Sequence, residues 1–330
     1  MKIVFYAHYW APQHFAGSEL FGQNLLKYLQ SRGHEVQVVA VQEYDAPQTW
    51  DFDGISVIRP IGLETWSDVL KQTNPDVILT HHHPTPYAQA FALQQHIPVV
   101  QIIHNNHGVA DQYLSGGGDM IIYNTEYLQN QFQAKYPQYK SVVLHPPVFA
   151  EQHATTPGDM VTLINLNEHK GSKILYELAN RMPDVQFLAV EGGHGIQIYE
   201  QWDNITFQAQ TTDMKNDVWA RTKVLLMPSI YESYGMVGVE AMASGIPVIA
   251  NPTFGLQESL GYAGTFVNRD SVSQWEEEIR RLLNNNHLWE RKSKLAKRRS
   301  AQLDPYVELA SVADKIEELI DLGIRNSRRR

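Results

Sequence analysis

Between Pro228 and Ala250 the chain reads PSIYESYGMVGVEAMASGIPVIA. The preceding run KVLLM, from Lys223, is apolar and reads as a buried strand ending near Met227. A loop holding Glu232 follows, and a helix opens near Gly235. The helix carries Glu240 and stops at Gly245, a residue suited to a helix C-terminus, before Pro247 opens another strand. A strand, a tight loop and a helix followed by a parallel strand form the unit of a doubly wound sheet. The free N–H groups of Gly235, Met236 and Val237 at the helix start can hold a diphosphate, helped by the helix dipole. Glu240 lies in the apolar sequence VGVEAMA, where an unpaired carboxylate is costly, so its presence there points to use.

Outward from this segment, short apolar runs alternate with helix-length amphipathic stretches. KIVFYA, EVQVVAV, DVILT, PVVQII and DMIIYN, starting at Lys2, Glu35, Asp76, Pro98 and Asp119, fill the first half. MVTLI, VQFLAV, KVLLM, PVIA and GTFV, starting at Met160, Val185, Lys223, Pro247 and Gly264, fill the second. Continuous apolar strands belong in parallel sheets covered on both faces. The expected fold is therefore α/β, with two doubly wound, Rossmann-like domains and a cleft between them. The linker is expected in HPPVFAEQHATTPGD, from His145 to Asp159, giving domains at 1–150 and 151–304. Residues 305–330 read as a packing helix with Val307, Leu309, Val312, Ile316, Leu319 and Ile320 at helical spacing, then a basic tail, RNSRRR.

The 330 residues are 43% hydrophobic and 19% charged, with a net charge of −9 that argues against nucleic acid as a partner. With no cysteine, disulfide and thiolate chemistry are excluded. The opening MKIVFYAHYWAPQ is apolar too briefly for a signal peptide or a membrane span. The expected location is cytoplasmic, with membrane contact at most peripheral, at the inner face. Nothing in the sequence sets an oligomeric state.

The segment from Glu232 to Glu240 resembles the E-x7-E motif of glycosyltransferase family 4, and AMASGIPVIA is similar to that family's continuation. YWAPQHFAGSELFGQNLLKYLQSRGHEVQVVA, NLNEHKGSKILYELANRMPDVQFLAVEGG and FGLQESLGYAGTFV look like further family segments in the family's order, and together they span nearly the whole chain. The resemblance implies the GT-B fold and a retaining, metal-independent transfer of a hexose-type sugar from a nucleotide-diphosphate donor to a saccharide or small-molecule acceptor. It gives Lys170, Glu232 and His104 the catalytic work. Lys170 neutralises the leaving diphosphate, while Glu232 and His104 orient the sugar. Glu240 holds the ribose. Gly17 and Ser18, in the loop AGSE, contact the donor phosphate, with Ala16 standing where the family has a first glycine. Gly192 and Gly193 form the turn near the nucleotide, and Tyr234 replaces a phenylalanine. Asn165 stands where many members carry an arginine that shares the diphosphate with Lys170.

Two other readings stay open: a non-catalytic nucleotide-sugar-binding partner subunit, and a nucleotide-sugar epimerase on the same fold. The run His81-His82-His83, with His8 and His14, raises a metal site. Alternate side chains of a strand point apart, so three consecutive histidines are not expected to converge on one ion. A structural or acceptor-lining role is the expectation, with no metal and no cofactor.

Overall fold

The structure, a computed structural model, describes residues 1–14, 16–42, 46–61, 65–193 and 195–327, with no side chains beyond 320. The basic tail's side chains and its last three residues lie outside the described residues. The chain divides into two compact units, Met1–Pro147 with Tyr306 onward, and Val148–Pro305.

In the first unit the strands are β1 (Lys2–Ala7), β2 (Glu35–Ala40), β3 (Thr49–Phe52), β4 (Ile55–Ile58), β5 (Val77–His81), β6 (Val99–Ile103), β7 (Met120–Tyr123) and β8 (Ser141–Val143). They form one sheet in the order β3-β4-β2-β1-β5-β6-β7-β8. All neighbours pair parallel except β3 and β4. The helices are α1 (Gly17–Ser31), α2 (Trp66–Thr73), α3 (Thr85–Gln95), α4 (Val109–Ser115) and α5 (Glu126–Gln133). The five long apolar runs of the sequence became β1, β2, β5, β6 and β7, and β5 and β6 are buried at every residue.

β3 and β4 were not expected. They form a hairpin turned at Asp53 and Gly54, with φ 51° and 74°, the left-handed pair that a two-residue hairpin needs. Their alternating exposure hides them from a search for continuous apolar runs.

In the second unit α6 (Ala150–His153) precedes β9 (Met160–Ile164), α7 (Ser172–Arg181), β10 (Phe187–Val190), β11 (Ile205–Gln208), α8 (Met214–Asp217), β12 (Thr222–Met227), α9 (Met236–Ala243), β13 (Val248–Ala250), α10 (Phe254–Leu260), β14 (Thr265–Phe266), α11 (Val272–Asn284) and α12 (Asn286–Gln302). The sheet order is β11-β10-β9-β12-β13-β14, parallel throughout. Alternate strand residues serve opposite faces. Leu163, Phe187, Leu226 and Ile249 pack with α7 and α11, while Leu188, Leu225, Met227 and Val248 pack with α9, α10 and α12.

The last helix, α13 (Pro305–Ser327), packs on the first unit from Tyr306 onward. Leu309, Val312, Ile316 and Ile320 are buried there, whereas Val307 is exposed, contrary to its expected packing role. Glu308 accepts from the backbone N–H of His145 at 2.7 Å, and Arg32 pairs with Asp314 and Glu317 at 2.8 Å each.

Strand order reverses between β1 and β5 in the first unit and between β9 and β12 in the second. At such a reversal the loops leaving the carboxyl ends of two adjacent strands turn to opposite faces and open a crevice where ligands bind.

Candidate active site

At the reversal in the second unit, the loop after β9 carries Lys170 and the loop after β12 carries Glu232. Asn167 accepts from the backbone N–H of Lys170 at 2.9 Å through Oδ1, and so caps the single 3-10 turn Glu168–Lys170. Gly171 then takes φ 104°, and a β-carbon there would stand 2.3 Å from Cγ of Pro228. Glycine is required at this point for both its dihedral and its volume. The close approach joins the two loops, and the Lys170 ammonium forms an ion pair with Oε1 of Glu232, which also accepts from Ser229 Oγ at 2.8 Å. Both side chains remain partly accessible.

Arg269, which follows β14, was not singled out in the sequence because its partners lie about a hundred residues away. Its guanidinium donates to the carbonyls of Glu168 at 2.7 Å, His169 at 3.2 Å and Pro228, tying the Lys170 loop to the Glu232 loop. Arg269→Ala is expected to reduce the stability of the second unit by about 2 kcal/mol, because three charge-assisted hydrogen bonds are lost. Arg269→Lys should recover little of it, since an ammonium cannot fork across two loops. Urea unfolding of the three proteins checks this.

Asn165 sits at φ 71°, and its Oδ1 accepts from Gln197 Nε2 at 3.0 Å. Gln197 Oε1 accepts from the N–H groups of Leu166 at 2.8 Å and Gly192 at 3.0 Å. A β-carbon on Gly192 would lie 2.2 Å from the Asn165 side chain. Asn165 and Gly192 thus meet directly, and Gln197, which sequence reasoning missed, locks the loops after β9 and β10 together. Gly193 follows in an exposed turn.

Gly235, at φ 86°, precedes α9 and has no side chain with which to cap it. The N-cap residue therefore gives no side-chain hydrogen bond to the N–H groups of the first turn, Met236 and Val237 among them, which suits an anion. The small size of Gly235 and Gly238 has a packing cause. β-Carbons there would meet Leu256 at 2.5 Å and Leu260 and Met227 at 2.9 Å, so these glycines admit α10 and β12 side chains. Tyr234 is buried, and its carbonyl accepts from Ser259 Oγ at 2.7 Å.

Glu240 is buried on α9, and its Oε2 has no hydrogen-bond partner among the described residues. The nearest base, Nδ1 of His153, is 3.7 Å away and equally unbonded. Burial pushes the Glu240 carboxyl up to about 7 and the His153 imidazole down to about 4, so near pH 6 both are neutral despite their ion-pair separation. A raised carboxyl value means the folded state holds the proton more tightly than the unfolded one. Stability from this group is full below the ordinary 4.5 and is lost as pH rises through about 7. Glu240→Gln removes the ionisation. Its stability relative to the native protein should rise by roughly 3 kcal/mol between pH 4.5 and 8, read from urea midpoints. A difference that stays constant with pH would contradict the assignment.

In the first unit, His104 follows β6 and is buried, with its ring edge-on to Phe21 of α1 at 5.0 Å. Gly17 and Ser18 form the first turn of α1. Ser18 Oγ donates to Glu19 at 2.9 Å, and Glu19 accepts from the Ala16 N–H at 3.2 Å, so Glu19 rather than Ser18 caps this helix. His104 Nε2 lies 3.0 Å from His81 Nδ1, and His81 Nε2 lies 3.3 Å from His8 Nδ1. As expected, the three consecutive histidines do not all converge, since His83 stays outside the group, but the alternation behind that expectation stops at His82. Its φ of 55° leaves the extended strand, so side-chain alternation stops there, and His81, His82 and His104 come together. Burial, then neighbouring imidazoles, hold His81 and His104 well below the ordinary histidine range and lower His8 to about 3 and His82 to about 4. The cluster is neutral at pH 7.

A family model described as Glycosyltransferase Family 4 matches residues 15–152, and one described as Glycosyl transferases group 1 matches residues 148–300. The D-inositol 3-phosphate glycosyltransferase of Mycobacteroides abscessus is 26% identical over 209 residues, 53% of this chain. That match takes in 47% of the relative, so the chain spans about half the length of the curated relatives it matches. Sucrose-phosphate synthase from Thermosynechococcus elongatus superposes with a TM-score of 0.74 at 16% identity, over 99% of this chain and 100% of that one. Anabaena HepE, solved in complex with UDP and glucose, gives 0.75 at 16% identity, over 96% of this chain and 99% of that one. At such identities the structures speak to the fold, and the fold is theirs. Among the described residues no helix is long and apolar enough to cross a membrane. Glycosyltransferase models match in succession from residue 15 to residue 300, and with two parallel-sheet units like those of the solved structures the chain has the GT-B fold.

Proposed function

We propose that the chain is a family 4 retaining glycosyltransferase that moves a hexose-type sugar from a nucleotide-diphosphate donor to a saccharide or small-molecule acceptor. The observation that carries this reading is the Lys170–Glu232 pair, set at the strand-order reversal of the second unit, in the unit whose α9 has no side-chain cap. Lys170 and the first turn of α9 supply positive potential to the diphosphate as charge grows on it, which makes a metal unnecessary at that step. Glu232 is an acceptor for sugar hydroxyls. Glu240, buried and without a hydrogen-bond donor at Oε2, is an acceptor for the ribose.

His104 keeps the sugar contact, and Gly17 and Ser18 the phosphate contact, that the resemblance gives them. Gly192, Gly193 and Tyr234 shape the nucleotide side. Asn165 supplies no cation, and its amide is occupied by Gln197, so on this reading Lys170 carries the diphosphate without the family's second positive charge. Retention follows from same-face attack assisted by the departing phosphate. The donor named with HepE, UDP with glucose, makes UDP-glucose the first to try. Peripheral membrane contact and cytoplasmic location belong to the same proposal.

The test is release of nucleoside diphosphate from a panel of nucleotide sugars in EDTA, with inositol phosphate, hexose phosphates and oligosaccharides as acceptors. Release from one donor that depends on an acceptor, with the anomer retained in the product, supports the reading. Saturable donor binding without release from any pair would favour the binding-only reading that Asn165 suggests. Turnover that requires an added divalent ion would overturn the metal-free step.

A further inference from the structure

The first unit holds a group of imidazoles of which the transfer reading uses only His104. His81 ends β5 and His104 follows β6, and the two strands are hydrogen-bonded neighbours with His81 in register with Ile102. His82, turned back by its left-handed backbone, brings a third ring to the same place. The rings of His82 and His104 lie 5.2 Å apart and 27° from parallel, and those of His81 and His82 lie 4.5 Å apart. One ligand nitrogen from each of His81, His82 and His104 falls within 4.8 Å of the others.

We propose that His81, His82 and His104 form a binding site for one divalent transition-metal ion of the zinc type. A tetrahedral zinc with Zn–N bonds of about 2.0–2.1 Å holds its nitrogens roughly 3.3 Å apart. His81 Nδ1 and His104 Nε2, at 3.0 Å, need only separate slightly to admit the ion, with a side-chain rotation of His82 closing the third bond. An all-imidazole set selects zinc, copper, nickel or cobalt and rejects magnesium and calcium, which require oxygen ligands.

The surroundings hold the central ring as metal sites do. The second nitrogen of His81 faces His8 Nδ1 at 3.3 Å, and the other nitrogen of His8 lies 3.8 Å from Glu19 Oε1. With its proton on Nε2, directed at His8, His81 presents a free Nδ1 to the ion. Only a change of tautomer at His104, from Nε2–H to Nδ1–H, is then needed, and no proton leaves the cluster. The ion would occupy Nε2 of His104, so the same site makes an enzyme that needs no metal at its diphosphate sensitive to zinc. That sensitivity rests on the transferase reading; the binding site does not.

Cobalt titration of the full chain, stripped with EDTA and then freed of it, tests the site. One equivalent of cobalt is expected to give the intense visible bands of a tetrahedral nitrogen-ligated ion, zinc should displace it one for one, and magnesium should not. His82→Ala, at a partly accessible position, is expected to weaken zinc binding about a hundredfold, as competition with a chromophoric chelator reads. His8→Ala should weaken it about tenfold. Weak octahedral bands, no zinc binding at micromolar concentrations, or zinc affinity unchanged in both His82→Ala and His104→Ala would overturn the proposal. If a variant does not fold, as circular dichroism shows, the spectrum of the native protein alone decides. None of these readings requires transfer activity, so the transferase reading can fail while the metal site stands.

Discussion

Lys170→Ala is expected to lower donor turnover about a hundredfold to a thousandfold, the cost typical of removing one preorganised charge from a developing anion. Asn165 makes the loss severe. Its amide is held by Gln197 and carries no charge, so no cation at that position shares the load. Folding should be little affected. Lys170 and Glu232 are both partly exposed, and Glu232 keeps its hydrogen bond from Ser229 when the lysine is gone. Lys170→Arg should restore part of the rate by restoring the charge. The check is nucleoside diphosphate release at saturating donor, beside melting temperatures of the three proteins. Turnover within threefold of the native value would place the diphosphate away from Lys170.

Gly171→Ala should produce the largest loss of stability among single substitutions at this site. The left-handed dihedral costs a residue with a β-carbon about 1–2 kcal/mol, and the clash with the rigid ring of Pro228 adds about 1–3 kcal/mol. The sum, roughly 3 kcal/mol, corresponds to a fall in melting temperature of about 6–12 °C for a domain of this size. The strain is relieved only if the Lys170 loop moves away from the Glu232 loop, so turnover should fall as well. Calorimetry measures the first effect and product release the second. A variant as stable as the native protein would mean that the two loops are not held in contact.

Much of the architecture was legible because parallel strands buried on both faces leave largely apolar runs, as in VVQII of β6 and VILTH of β5. What was missed lies at the sheet edges or one strand in from them. β3 and β4 alternate in exposure, β8 is three residues long, and β11 pairs on one side only. The Asp53-Gly54 turn was a readable hairpin signal between them. At the second unit's crevice, Lys170, Glu232 and the start of α9 were readable because strand, loop and helix are adjacent in sequence. Gln197, Arg269 and His153 were not, because each acts on a loop or side chain that only folding brings near. In the histidine run one left-handed residue, His82, cancels the alternation locally and joins His81, while His83 stays outside the group, so the run does not converge as a whole.

Isothermal titration of the native chain with UDP, GDP, ADP and TDP in EDTA, each beside its nucleoside, tests the central claim most directly. The account predicts that one diphosphate binds saturably, that its nucleoside binds at least tenfold more weakly, and that Lys170→Ala erases most of the difference. If no nucleoside diphosphate binds, or if nucleoside and diphosphate bind alike in the native protein and in Lys170→Ala, the crevice between β9 and β12 is not a diphosphate site.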